Sequence, residues 1–198
     1  MKVIVTGFGR FLDNDSNPTK EILRLLPKSI HGSKIVPVEL PVIFDECFDH
    51  LRPIIEETKP DAIIMLGLAS GRKGITPERI AINMKDAKGP DNIGYTPHDE
   101  SINPKGKNAY FSTLPIREIE QKLISKNIPV SISNSAGLYV CNNIMYEVLQ
   151  YIDIHSLDIK AGFVHVPLMT EQVTNSKDFS LKLDVILEAV IDIIKTVI

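Results

Sequence analysis

Short apolar runs closed by glycine or a polar turn, each followed by residues at helical spacing, constrain this chain more than any other feature. Val3–Thr6 is a β-branched run ending at Gly7, Lys34–Leu40 reads as a second strand, and Asp61–Leu68 carries Ala-Ile-Ile-Met-Leu up to Gly67. Ile159–Val166 is a further apolar run. Gapless runs of this kind belong to strands buried on both faces. Between them, Asn17-Pro18 supplies a cap and a first-turn proline ahead of Ile22, Leu23, Leu25 and Leu26. Ile43–Glu57 is helical by spacing, with Pro53 expected to kink or split it. Pro115–Lys126 and Tyr139–Tyr151 are further helices, while Val130–Ser133 and the alternating Glu78–Met84 read as additional strands. Repeated strand–helix units predict an α/β fold: a mostly parallel sheet with helices on both faces. At 198 residues the chain is expected to form one domain, 1–198. Ligands of such sheets bind beyond the carboxyl ends of the strands, so the chemistry is expected there.

Charge and cysteine count narrow the function classes. Twenty-two Lys and Arg against 25 Asp and Glu give a net charge of −3, with no electrostatic case for nucleic acid or an anionic membrane as partner. Two cysteines, Cys47 and Cys141, exclude a disulfide scaffold and suit a reducing compartment. Met1-Lys2 runs straight into the first strand, which argues against an export signal. The most apolar stretch, Leu181–Ile198, carries Asp184, Glu188, Asp192 and Lys195 three or four residues apart. That stripe makes it a heavily buried amphipathic helix that could contribute a subunit contact, and not a membrane span. Residues 85–108 form a long polar loop, and loops of that length usually serve as lids or binding segments.

Three residues at strand ends could carry chemistry. Cys141 follows Ser133-Asn134-Ser135-Ala136-Gly137 and falls in the first turn of a helix, where free backbone N–H groups and the helix dipole stabilise a thiolate and a developing oxyanion. It is either a core thiol or a nucleophile. His165, at the end of Phe163-Val164-His165-Val166-Pro167, is either a structural imidazole or a base. Glu78 is either a solvated edge charge or the carboxylate that orients that base. Cys47-x-x-His50 lacks the further ligands that a zinc site needs, so no metal is expected. Gly7-Phe8-Gly9 begins like a dinucleotide fingerprint, but Leu12 holds the place of the third glycine. Phe8 and Phe11 could instead floor a small apolar pocket.

Together these segments resemble the pyroglutamyl peptidase I family. The resemblance is carried by Thr6-Gly7-Phe8, Phe11, Asn17-Pro18, Leu66-Gly67-Leu68-Ala69, Gly71-Arg72, Thr76 to Asn83, Pro90-Asp91-Asn92, Ser133 to Gly137, Tyr139-Val140-Cys141-Asn142 and Phe163 to Pro167. It implies a three-layer α/β/α sandwich and a cytoplasmic cysteine exopeptidase that removes N-terminal pyroglutamate. Glu78, Cys141 and His165 would be catalytic, with no cofactor and with a homotetramer or other homo-oligomer as the assembly. The departures are Gly9-Arg10 where the family commonly has Glu-Pro, Leu12-Asp13 in place of paired glycines, and Ser70 in place of a small apolar residue or glycine. They lie beside the expected pocket and touch turnover and pocket shape more than reaction type.

The implied chemistry has His165 accept the Cys141 proton, Glu78 orient the imidazole, and water hydrolyse a thioester. Backbone N–H groups at Cys141 and around Arg72 would hold the oxyanion. Phe8, Phe11 and Val140 would line a slot for the ring methylenes. The resemblance adds the Asn17 side chain and the Leu68 carbonyl as readers of the lactam, although Asn17 is equally a good helix cap. A non-catalytic small-molecule binder on the same scaffold is the alternative, and the three candidate residues weigh against it.

Overall fold

A computed structural model describes residues 1–9, 17–173 and 178–198. The first half of the described chain runs β1 (Lys2–Phe8), α1 (Pro18–Leu25), β2 (Ser29–Ile30), β3 (Ser33–Leu40), α2 (Glu46–Thr58), β4 (Ala62–Leu68), β5 (Thr76–Pro77) and β6 (Ile80–Ile82). It continues through β7 (Ala109–Phe111), α3 (Ile116–Ser125), α4 (Val140–Ile154), β8 (Lys160–Val166), β9 (Leu168–Met169), β10 (Ser180–Leu181) and α5 (Leu183–Val197). The central sheet has the order β2-β3-β1-β4-β8-β5. Its four inner strands are parallel, and the two outer ones, β2 and β5, run antiparallel to their neighbours. The expectation of a mostly parallel sheet is therefore met by a mixed one whose middle is parallel.

Two apolar layers explain why the inner strands read as gapless runs. Val3, Val5, Ile64 and Val164 pack on one face with Ile22 of α1, Ile119 of α3 and Ile193 of α5. Ile4, Ile63, Met65 and Phe163 pack on the other with Leu51 of α2 and Ile144 of α4. Each strand must be apolar on both sides because each side meets helices. Asn17 caps α1 through a bond from Thr19 N to its Oδ1 (3.0 Å), and Pro18 occupies the first helical position, where its missing N–H has no partner to lose.

Several expectations are corrected. Pro53 does not split α2, which runs through it from Glu46 to Thr58 with the proline on its exposed side. Glu78–Met84 is not one strand. Thr76–Pro77 pair with β8, extended by Glu78 N donating to Phe163 O at 2.9 Å, after which Ile80–Ile82 leaves to pair with β7. Residues 130–133 do run alongside 75–79, held by Ile75 N to Pro129 O, Ser131 N to Ile75 O, Ser133 N to Pro77 O and Arg79 N to Ser133 O. Pro77 has no N–H, so the rung to Ser131 is missing and the ladder breaks into isolated bridges. The polar stripe of α5 is not all solvated: Asp192 is 1% exposed, with Lys126 Nζ 2.6 Å from it.

The segment 83–108 is fastened along its length. Lys85 and Glu100 exchange two backbone hydrogen bonds (2.7 and 3.0 Å), and the Asn83 amide pairs with the backbone of Asn103. Tyr146 of α4 donates to Lys107 O at 2.7 Å. The Asp91 carboxylate accepts from the N–H groups of Phe44, Ile93 and Tyr95, while Tyr139 donates to Pro90 O.

Candidate active site

The carboxyl ends of β4 and β8 and the start of α4 converge. Gly67 of β4 lies in register with His165 of β8. A Cβ on Gly67 would fall 2.6 Å from Phe163 Cζ and 3.1 Å from Cys141 Sγ, so the glycine makes room for the thiol. Cys141 is the second residue of α4, just ahead of the N–H groups of Asn142 and Asn143, which both donate to Tyr139 O (3.0 and 3.1 Å). Asn142, the next residue, locks that helix end in place. Its Oδ1 accepts from Ile82 N at 3.0 Å, and its Nδ2 donates to Ile82 O and Met84 O, both at 2.9 Å.

His165 Nδ1 lies 2.7 Å from Glu78 Oε1. An ionised carboxylate only accepts, so Nδ1 carries the hydrogen of this bond and Nε2 is left for Cys141. Glu78 is fully buried, which removes the reading of a solvated edge charge. Burial pulls the imidazolium down. The charge and hydrogen bond of Cys141, followed by those of Glu78, outweigh it, and the His165 pKa is pushed up to about 9. The Phe163 ring packs 4.8 Å from the His165 ring, limiting its rotation, and stands 6.4 Å from Phe8.

The other expected residues fall as follows. Phe8, at the end of β1, and Val140, the first residue of α4, are buried in the same apolar cluster, against which Cys141 packs. Leu68 is the last residue of β4. Asn17 caps α1 and also donates to Gly9 O at 3.1 Å. Phe11, with the atypical Arg10, Leu12 and Asp13, lies outside the described residues. The Arg72 backbone N–H donates to Ala69 O (3.0 Å), so it is not free for an oxyanion; its guanidinium reaches Glu78. Gly67 and Asn142 were not singled out by the residue patterns, although an isolated glycine inside an apolar strand signals a close approach of this kind.

Cys47 presents the opposite environment. It is fully buried on α2, and burial, followed by the Glu147 carboxylate, pushes its thiol well above the ordinary value. Glu147 is thus a chemical neighbour that the sequence pattern did not reveal.

The family described as pyroglutamyl peptidase matches residues 1–198. The chain belongs to the pyroglutamyl peptidase family. A pyrrolidone-carboxylate peptidase of Thermoanaerobacter sp. (strain X514) is 46% identical over 175 residues, covering 88% of this chain and 86% of the relative. Pyrrolidone-carboxylate peptidase 2 of Caldanaerobacter subterraneus subsp. tengcongensis is 43% identical over 199 residues, covering 100% and 97%. Among solved structures, pyroglutamyl peptidase I of Bacillus amyloliquefaciens superposes with a TM-score of 0.95 at 36% identity, over 99% of this chain and 96% of that one. A mutant pyrrolidone carboxyl peptidase of Pyrococcus furiosus gives 0.95 at 41% identity, over 100% and 98%. As a pyroglutamyl peptidase family member the chain is a cysteine-type hydrolase. Among the described residues no helix is long and apolar enough to cross a membrane.

Proposed function

We propose that the protein hydrolyses the amide bond after an N-terminal pyroglutamyl residue, with Cys141 as nucleophile, His165 as base and acid, and Glu78 as its orienting carboxylate. The observation that carries this reading is the buried Glu78–His165 bond aimed at a thiol in the first turn of α4, in a chain that matches the peptidase family from end to end. Cys141 Sγ adds to the pyroglutamyl carbonyl, whose oxygen takes up negative charge beside the N–H groups of the α4 first turn. Stabilisation of that kind contributes roughly 3–4 kcal/mol. The tetrahedral adduct expels the amine, which takes its proton from His165 Nε2 and leaves a thioester. Water, giving a proton to the same nitrogen, adds to the thioester and releases free pyroglutamate and the thiol.

Specificity rests on what the lactam lacks and what it keeps. It carries no ammonium, so no carboxylate is needed to grip the N-terminus. Phe8 and Val140 supply an apolar slot for the ring methylenes. Asn17 and the Leu68 carbonyl read the lactam C=O and N–H. A site built to hydrogen-bond that amide rejects proline by up to about 10⁴–10⁵. A fluorogenic pyroglutamyl amide is therefore cleaved and prolyl, glutaminyl and leucyl amides are not; absence of release across pH and temperature would overturn the assignment.

The pH profile follows from the imidazolium. With the His165 pKa raised from 6.5 to about 9, the proton stays on through neutral pH and is lost as pH rises through about 9. The basic limb of kcat/KM is expected near pH 9, and Glu78→Gln, which removes one cause of the rise, moves it down. A limb at pH 6–7 in the unaltered protein would contradict the ion pair. We take residues 1–198 as one domain and place the enzyme in the cytoplasm, where two unbridged cysteines are at home. We take the working form to be a homo-oligomer, in line with the apolar Phe111 and Ile124 at its surface.

A further inference from the structure

We propose that Arg72 is a positioning residue of this site, a fourth charged member acting through Glu78, and not a ligand of the substrate. The inference rests on the assignment of Glu78, His165 and Cys141 above. One guanidinium nitrogen, Nη2, carries two hydrogens, and the structure offers each an acceptor: Glu78 Oε1 at 3.2 Å and Ser135 O at 3.0 Å. Glu78 Oε1 therefore accepts from two sides, from His165 Nδ1 at 2.7 Å and from Arg72, while Glu78 Oε2 is buried with no partner among the described residues. A carboxylate held by one oxygen alone can rotate about its axis and present either oxygen to the imidazole. Arg72 leaves the second oxygen unanchored but adds a second cationic donor at the place Oε1 occupies, so whichever oxygen sits there is held between guanidinium and imidazolium.

The second acceptor ties this device to the nucleophile. Ser135 lies in the turn that leads into α4, and its carbonyl also accepts from Ser133 Oγ. The Arg72 fork thus joins the loop after β4, the orienting carboxylate and the approach to Cys141. The charged groups facing Glu78 are Arg72 from that loop and His165 from β8, with Cys141 of α4 beyond the imidazole. Arg79, next in sequence to Glu78, turns away to Asn134 Oδ1. With thiolate, imidazolium, carboxylate and guanidinium present, the set sums to zero. Removing the guanidinium leaves it at −1, which makes each negative charge harder to form and each positive charge harder to lose.

Two variants separate charge from geometry, with Glu78→Gln alongside. Arg72→Gln is expected to lower kcat roughly 10²-fold, the scale of a small misplacement of a catalytic group. KM should change less than about threefold, and both limbs of the kcat/KM profile should move to higher pH by about one unit. The rate of Cys141 alkylation by iodoacetamide, which needs no substrate, should show the same shift of its acid limb. Arg72→Lys keeps the charge and loses the fork, so its pH window stays in place while kcat falls about 10-fold. A rise in KM with kcat and both limbs unchanged would make Arg72 a substrate ligand and overturn the proposal, as would an unshifted alkylation profile in Arg72→Gln. If Glu78→Gln also leaves kcat and alkylation unchanged, it is the triad assignment that fails; if Glu78→Gln alters them and Arg72→Gln does not, only the role of Arg72 fails.

Discussion

Replacing Cys141 by alanine should remove turnover of a pyroglutamyl amide by more than about 10⁴-fold, as loss of the nucleophile does in other covalent hydrolases. Cys47→Ala should keep most of it. The two thiols differ in what surrounds them. Cys141 sits in the first turn of α4 beside the His165 imidazole, whereas Cys47 is sealed on α2 with burial and a carboxylate pushing its thiol up. Mass mapping after brief iodoacetamide treatment should find the label on Cys141. Comparable losses from both substitutions, or preferential labelling of Cys47, would refute the division.

The second large effect concerns stability. Glu147 of α4 lies in the α2–α4 interface; burial, and then Asp45 and Asp49, push its carboxyl up from 4.5 to about 8. Its folded pKa exceeds its unfolded one, so its contribution is fully favourable below pH 4.5 and is lost as pH rises through about 8. Glutamine imitates the neutral acid and can still accept the bond that Asn143 Nδ2 donates. Glu147→Gln should therefore match the parent near pH 4 and exceed it by roughly 2–3 kcal/mol at pH 7, with partial exposure of the group already allowed for. For a chain of this size that corresponds to about 4–10 °C in Tm. Thermal unfolding at pH 4, 7 and 8.5 measures it. A gain that does not grow with pH would show that the carboxyl is ionised at little cost.

The inner strands and the helices were legible because their signals are local: gapless β-branched runs, the Asn17-Pro18 cap, apolar residues at helical spacing. The sheet edge was not. Glu78–Met84 alternates along its whole length, yet the chain changes partners at Arg79, which depends on where β8 and β7 lie. Val130–Ser133 has the pattern of a strand and does run beside residues 75–79; what the pattern cannot show is that Pro77, in the neighbouring segment, removes a rung from it. In the site, the three strand-end candidates were visible one by one, and the structure adds that Glu78 and His165 meet in a buried bond. Gly67, Asn142 and the Glu78 contact of Arg72 were hidden because each depends on a partner between 58 and 96 residues away or, for Arg72, on which way the seven-residue loop 69–75 turns.

The stitched segment 83–108 has a kinetic meaning. A hinged cover would have to be raised and lowered in every cycle, and its opening rate would cap kcat. Here the chain is bolted to α4 at Lys107, to the approach of α2 at Asp91, and to itself at Lys85 and Glu100. Opening any part of it would break several of these bonds at once, so turnover does not wait on a lid made of this segment.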